Sequence, residues 1–219
     1  MSQGSIAARS PLKRFFRSVS LWIDNRSHEI PDDKPKPGYT FWDVDWTRAV
    51  PFFAMHAMCL CVLWVGWSWI AVAVAALFYV VRMFGVTGFY HRYFSHKTFS
   101  TNRFWQCVFA LWGNSSVQRG PLWWAAHHRH HHKHSDQPED LHSAKEHGLY
   151  WSHMGWILSP SNHFTNLKAV PDLAKYPELR FIDRYDTLLP IGLGVGMYFF
   201  GVLLDHIWPS LGTSGMPML

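Results

Sequence analysis

The sequence predicts an all-α membrane protein with a transmembrane hairpin, a helical cap bearing clustered histidines on the cytoplasmic side, and a third transmembrane helix. Three observations predict it. From Val50 to Val81 no Asp, Glu, Lys or Arg occurs, a run of 32 residues. As one helix it would be about 48 Å long, against a hydrocarbon core of roughly 30 Å, so two passes use it better than one. A second apolar run, Leu188 to Leu204, lies between Asp186 and Asp205 and is just long enough to span. The chain also carries 13 tryptophans and 16 phenylalanines, an aromatic load expected of interfacial belts.

Taken in order, the chain divides into a cytoplasmic amino-terminal segment, residues 1–48, and a membrane domain, residues 49–219. In the first, Leu12, Phe15, Phe16, Val19, Trp22 and Ile23 recur at helical spacing opposite Lys13, Arg14 and Arg17. That pattern predicts a basic amphipathic helix lying in the membrane surface. No apolar stretch with a cleavage site precedes it, which argues against a signal peptide. PDDKPKPG, residues 31–38, reads as a linker because its prolines prevent regular structure.

The hairpin is expected at roughly residues 49–66 and 69–88, turning at Gly66, Trp67 and Ser68. Arg82 then falls in the last third of the second pass, where it snorkels to the nearer interface or pairs within the bundle. In the third span, Gly192, Gly194 and Gly196 suggest close helix packing. Eight Lys or Arg precede Val50, eleven lie between Gly85 and Tyr185, and none follows Arg184. By the positive-inside rule both basic segments, and the histidines with them, face the cytoplasm. Basic residues interleaved with spans indicate lipid headgroups or an acidic partner, not nucleic acid. Cys59, Cys61 and Cys107 form neither a disulfide framework nor a Cys-rich metal motif.

Eight of the fifteen histidines stand in two clusters, HRYFSH at 91–96 and HHRHHHKH at 127–134. Imidazole is the commonest neutral metal ligand, and an all-imidazole site suits Fe, Zn, Cu or Ni over Mg or Ca. His128, His131 and His132, at i, i+3 and i+4, share one helix face. His127, His130 and His131 repeat the pattern one residue earlier, and periodicity does not choose between the two registers. His91 and His96 are about 140° apart on an ideal α-helix, so they serve two different metals or straddle a helix end. A histidine run can also be a nonspecific metal-binding tract, but two clusters flanking one hydrophobic hairpin favour a built site. His28, His56, His163 and His206 stand singly and read as structural, while His142, His147 and His153 are candidates for supporting the ligands.

HRYFSH at 91–96, HRHHH at 128–132 followed by KHSD, and SHMGW at 152–156 together resemble the first two histidine boxes and intervening signature of membrane fatty acyl desaturases. The likeness is strongest to the bacterial acyl-CoA or Δ9 type, over roughly residues 50–205. The family's second box, H-R-x-H-H, selects the later register because Arg129 directly follows His128. The resemblance thus implies His91, His96, His128, His131 and His132 as ligands, and not His127 or His130. It implies two non-haem irons, O₂ as oxidant, and a cis double bond introduced into a saturated acyl chain carried by CoA or by lipid. It also implies an external ferredoxin or cytochrome b5 type electron donor, since no Cys-based cluster motif or dinucleotide fingerprint is present. Trp124, four residues before His128, matches a tryptophan flanking the substrate tunnel.

Two departures stand out. Where acyl-CoA enzymes commonly carry an arginine pair, this chain reads SAKEH, with only Lys145 plainly basic, which leaves the carrier open between CoA and lipid. The family pattern also includes a fourth span and a third histidine box that the 219 residues do not contain, so the sequence reading expects an incomplete site and no turnover by this chain alone. A di-iron hydroxylase or alkane monooxygenase, and a non-enzymatic membrane metal-binding protein, are the alternative readings of the same histidines.

Overall fold

The computed structural model describes residues 11–25 and 42–219, and every regular element among them is helical. The linker at 31–38 and His28 lie outside the described residues. Helix α1, Pro11–Ser20, leaves Leu12, Phe15 and Phe16 exposed, as a helix resting on a membrane surface would. It ends before Trp22, whose indole donates to the Thr47 carbonyl at 3.0 Å. The hydroxyl of Ser18 reaches Asp45 at 2.8 Å, so the amino-terminal segment is tied to the base of the first span.

Helix α2, Trp46–Val65, and helix α3, Trp69–Ser95, form the hairpin. Asp45 caps α2 by accepting the Arg48 N–H, and α2 tightens to 3₁₀ winding at Cys59–Cys61. Gly66 then adopts φ of +76°, a left-handed conformation open to glycine without strain, and Ser68 caps α3 through Ala71 N–H at 3.0 Å. Trp64, Trp67 and Trp69 stand exposed around this turn, as interfacial anchors do. Only 11 % of the most apolar window in each span is buried inside the protein, so these faces are left for lipid.

Helix α3 is longer than the expected second pass because it does not stop at the membrane boundary. From Gly85 to Ser95 it continues with π winding into the cap. There it packs against helix α4, Arg103–Asn114, and helix α5, Pro121–His134. The cap core is built from Tyr90, Phe94, Ala110, Leu122, Ala125, Ala126, Val170, Leu173, Leu179 and Ile182. Gly113 is required beneath Tyr90, since any Cβ there would strike its ring. Helix α6, Pro177–Arg184, closes the cap.

Below the cap, polar groups join four segments distant in sequence. Asn25 donates to Asp186 at 3.0 Å and accepts from Arg48, and Asn114 donates to the Asp186 carbonyl at 3.0 Å. Arg119 forms an ion pair with Asp186 at 3.2 Å, outside hydrogen-bond alignment at Nε. Arg184 forks onto Asp24 at 2.7 and 2.8 Å. Apart from Arg119 Nε, these groups are hydrogen-bonded, and they hold the base of the cap over the ends of the spans with little cost of unpaired burial.

The third span, helix α7, Leu188–Ile207, returns through the membrane and meets a short helix α8, Gly215–Met218. Its glycines do not act as the sequence suggested. A Cβ at Gly192 or Gly196 would meet nothing within 4 Å, whereas close approach occurs at Gly201, where α8 crosses. Arg82 neither pairs with a carboxylate nor hydrogen-bonds through its side chain among the described residues. Its guanidinium lies 5.2 Å from the Phe78 ring centroid.

The hairpin places its turn and the cap at opposite ends of α3. In a background lacking the three native cysteines, a membrane-impermeant thiol reagent added from one side should label Trp67→Cys or Thr98→Cys, but not both. Equal labelling of both positions from one side would contradict the hairpin.

Candidate metal centre

The histidine helix α5 begins without a cap of its own. Gly120 precedes it and has no side chain to offer, and Pro121 occupies the first helical position, where a missing N–H does no harm. Asp183 of α6 supplies the cap from across the core. Its Oδ1 accepts the N–H groups of Leu122 and Trp123 at 2.9 and 2.8 Å, while Thr165 donates to Oδ2 at 2.7 Å. Gly120 is needed for this approach, because a Cβ there would overlap the Asp183 carboxylate. Burial raises the Asp183 pKa, against the pull of these donors and Arg119. A carboxylate at this end also complements the helix dipole. The start of α5, and hence the direction of each histidine on it, is fixed by a residue 60 positions away.

Four imidazoles converge. His91 lies in the π-wound end of α3, His96 just beyond it, and His128 and His132 one turn apart on α5. One ring nitrogen from each lies within 4.8 Å of the others. Nε2 of His96 is 3.1 Å from Nε2 of His91 and 3.2 Å from Nε2 of His128. A single imidazole nitrogen has one in-plane position for a hydrogen or a lone pair, so it cannot bond well to both neighbours. Nitrogens bound to one ion at about 2.0–2.1 Å stand roughly 3 Å apart, and a shared cation accounts for the arrangement that hydrogen bonds do not. The donor set suits iron, zinc, copper or nickel.

The π winding explains why His91 and His96 meet. In an α-helix five residues leave the two rings on different faces, but here the ladder runs from residue i to i+5. His96 N–H donates to the His91 carbonyl at 3.1 Å, which stacks the two residues on one face. Of the two alternatives drawn from ideal α-helical geometry, the second describes them: the pair straddles the end of α3, and both rings join one cluster.

His131 stands apart from these four. Its Nδ1 lies 2.9 Å from Oδ2 of Asp140, a buried carboxylate that also accepts from the backbone of Asp136 and His142. Burial pushes the Asp140 pKa up, but His131 and the two backbone donors outweigh it, and the net shift is down. This bond assigns the proton of His131 to Nδ1 and leaves Nε2 as a lone pair for a ligand. His142 stacks on His131 at 4.4 Å, and His131, Asp140 and His142 offer ligand atoms within 4.8 Å of one another as a second group. The five sequence-proposed ligands therefore divide four and one, with Asp140 and His142 beside the fifth. Nothing in the sequence marked Asp140, since a lone carboxylate nine residues after a histidine has no distinguishing pattern.

His127 and His130 point elsewhere. His127 lies against Trp123 with centroids 4.3 Å apart, and its Nδ1 is 2.9 Å from the Trp123 carbonyl. His130 Nε2 lies 2.7 Å from the Glu139 carbonyl. Of the three supporting candidates, His147 contacts the Asp140 carbonyl at 2.7 Å, and His153 is exposed. Among the singly placed histidines, His163 is buried and bonded to the Ile157 carbonyl.

Trp124 stacks on His128, centroids 4.6 Å apart and planes 23° from parallel, and its indole donates to Gln118 at 3.3 Å. Gln118 in turn lines a cavity of about 440 Å³ whose other walls include Ala75, Phe78 and Met83 of α3 and Met197 of α7. A cavity of mixed lining, with Arg82, Ser116 and Gln118 on its wall, is thus linked through Gln118 to the tryptophan that touches the cluster.

Burial, then the neighbouring imidazoles of His132, His91 and His96, lower the His128 pKa to about 3, so its ring is neutral and available to a metal near neutral pH. Burial lowers that of His127 to about 4.

Comparison with known proteins now adds to this geometry. A profile of the fatty acid desaturase family matches residues 67–218. The sn-1 stearoyl-lipid 9-desaturase of Anabaena variabilis is 32 % identical over 169 residues, covering 75 % of this chain and 61 % of that protein. The sn-2 palmitoyl-lipid 9-desaturase of Nostoc sp. (strain 36) is 36 % identical over 165 residues, 71 % of this chain and 56 % of that protein. A chloroplastic palmitoyl-monogalactosyldiacylglycerol delta-7 desaturase of Arabidopsis thaliana is 32 % identical over 186 residues, 80 % and 49 %. The chain spans about half to three-fifths of the length of these relatives.

Two outcomes follow from the site. Alanine at His91, His96, His128 or His132 should each reduce bound metal, measured by elemental analysis after loading, whereas His127→Ala and His130→Ala should not. Loss at His127 with retention at His128 would reverse the register. The second outcome concerns pH. His127 and His128 bind protons near pH 6.5 when unfolded but only near 4 and 3 when folded, so the stability of the metal-free cap is full above about pH 6.5 and falls as pH drops toward 4. The buried carboxyls of Asp183 and Asp186, shifted upward, act in the opposite direction. Thermal unfolding at pH 7 and pH 5 should show the lower midpoint at pH 5; an equal or higher one would contradict the sign.

Proposed function

This chain belongs to the fatty acid desaturase family, and we propose that it acts in the O₂-dependent introduction of a cis double bond into a saturated acyl chain of a membrane lipid. One observation carries this reading: the four-imidazole cluster is built on the cap end of a helix long and apolar enough to cross a membrane. A metal held there lies beside the bilayer, where an acyl chain can reach it without leaving an apolar path.

Removal of hydrogen from unactivated methylene groups requires a redox metal, which favours iron over zinc among the ions that the donor set suits. Bound iron would supply the oxidising power, with O₂ and two electrons from an external ferredoxin or cytochrome b5 type donor. The two hydrogens taken from adjacent carbons, with two further protons, leave as two waters. In this reading His91, His96, His128 and His132 hold one iron. His131, oriented by Asp140 and neighboured by His142, contributes to a second.

The remaining residues position and shield. Trp124 packs on His128 and is hydrogen-bonded to Gln118, which lines the cavity among the spans, so an acyl chain lying in that cavity would be directed toward the cluster. A lipid-linked acyl chain is favoured over a CoA ester by two facts. The relatives just described are named for stearoyl-lipid and palmitoyl-lipid substrates, and Lys145 stands alone where an arginine pair would suit CoA phosphates. The charge pattern supports a cytoplasmic cap, and an impermeant reagent added outside the cell is then expected to reach Trp67→Cys and not Thr98→Cys.

The test of function is chemical. The encoding gene, expressed with whatever coding sequence flanks it in a host with a compatible donor, should yield new cis-monounsaturated fatty acids in the membrane lipids, and His128→Ala should abolish them. Hydroxylated acids alone would transfer the assignment to an oxygenase.

A further inference from the structure

Arg129 sits between two ligands-to-be on α5 but points away from the cluster, and its guanidinium donates to five acceptors. Nε reaches the Ser95 carbonyl at 3.2 Å. One terminal nitrogen reaches Asp172 at 2.8 Å and the Ala169 carbonyl at 3.4 Å. The other reaches the Phe94 carbonyl at 2.6 Å and the second Asp172 oxygen at 3.1 Å. Phe94 and Ser95 are the two residues before His96, at the point where the π ladder ends and carbonyls lose their helical partners.

The residue after His96 is held as well. Lys97 adopts φ of 54°, a left-handed conformation that strains a residue with a side chain and needs something to maintain it. Its Nζ lies 3.0 Å from Asp172, the carboxylate that Arg129 grips. Asp172 keeps its charge under all ordinary conditions: burial works against it, but Arg129 and Lys97 outweigh that and bring its pKa to about 2. His96 itself is exposed, so packing does not fix its ring. Its position rests on the main chain to either side.

We infer that Arg129 and Asp172 are positioning residues, which clamp the main chain on both sides of His96 and thereby set its distance from His91 and His128. A lysine at 129 would keep the charge but not the planar fork, and so would release most of the five acceptors. The inference rests on reading the four imidazoles as a metal site, and the test separates the two claims.

Wild type, R129K, D172N, H96A and the R129K/H96A double variant would be purified and studied by two methods. In the metal-free protein, amide hydrogen exchange at residues 94–98 should accelerate at least tenfold in R129K and D172N, with α5 unchanged. In Co²⁺ titrations, R129K, D172N and H96A should each weaken binding of the first equivalent by about tenfold or more, as loss of support for a ligand does. R129K should have no further effect in the H96A background, since the clamp acts through that ring, whereas a merely structural role would weaken both backgrounds alike. Wild-type affinity in R129K, an undiminished R129K effect in H96A, or unchanged exchange at 94–98 would each overturn the clamp. Failure of wild type to bind Co²⁺ would overturn the metal reading instead, leaving the exchange data to decide the clamp.

Discussion

The histidine helix has a beginning only because Asp183 provides one. A glycine followed by a proline gives α5 no side chain to meet its first N–H groups, and in a protein interior those donors would otherwise stay unpaired at a cost of about 1–3 kcal/mol each. Asp183 meets two of them and is itself anchored by Thr165. Because each successive residue of a helix is turned about 100°, an altered start would rotate His128 and His132 away from the π-wound end of α3. The cap therefore couples the packing of α6 to the metal-binding geometry, two parts of the fold that share no ligand.

A second constraint acts on the other side of the cluster. Helix α3 has to be a lipid-exposed span at one end and a ligand carrier at the other, and π winding from Gly85 lets it do both. The wider turn costs backbone hydrogen-bond quality, and it is tolerated where surrounding contacts over-determine it. Here Trp112 covers Gly85, Tyr90 fills the space over Gly113, and Arg129 takes up the carbonyls at the end. The rings of His91 and His96 meet only because this local departure from α geometry is held by its neighbours.

The membrane and cap layers meet in a polar seam. Asp186 at the entry to α7, Arg48 at the base of α2, Asn114 at the end of α4 and Asn25 from the amino-terminal segment are joined through hydrogen bonds that leave few polar atoms unmet.

Much of this was legible in the chain. The two uncharged runs and the glycine at the hairpin turn determine three helices long and apolar enough to span and the turn between the first two, because hydrocarbon accepts only apolar helices and a turn needs a conformation that glycine readily provides. The histidine spacing on α5 places His128 and His132 on one face wherever that helix occurs. What the sequence alone did not decide was the meeting of the two clusters. The rule for placing His91 and His96 assumed α winding, and winding is chosen by what packs around a helix. Likewise Asp140, Asp172 and Asp183 carry no local signal, and Gly192 and Gly196 look like a packing motif yet face open space while Gly201 makes the close contact. Periodicity is a property of neighbours along the chain, whereas a cap, a clamp or a ligand's partner is a property of neighbours in space, and only the tertiary structure brings those together.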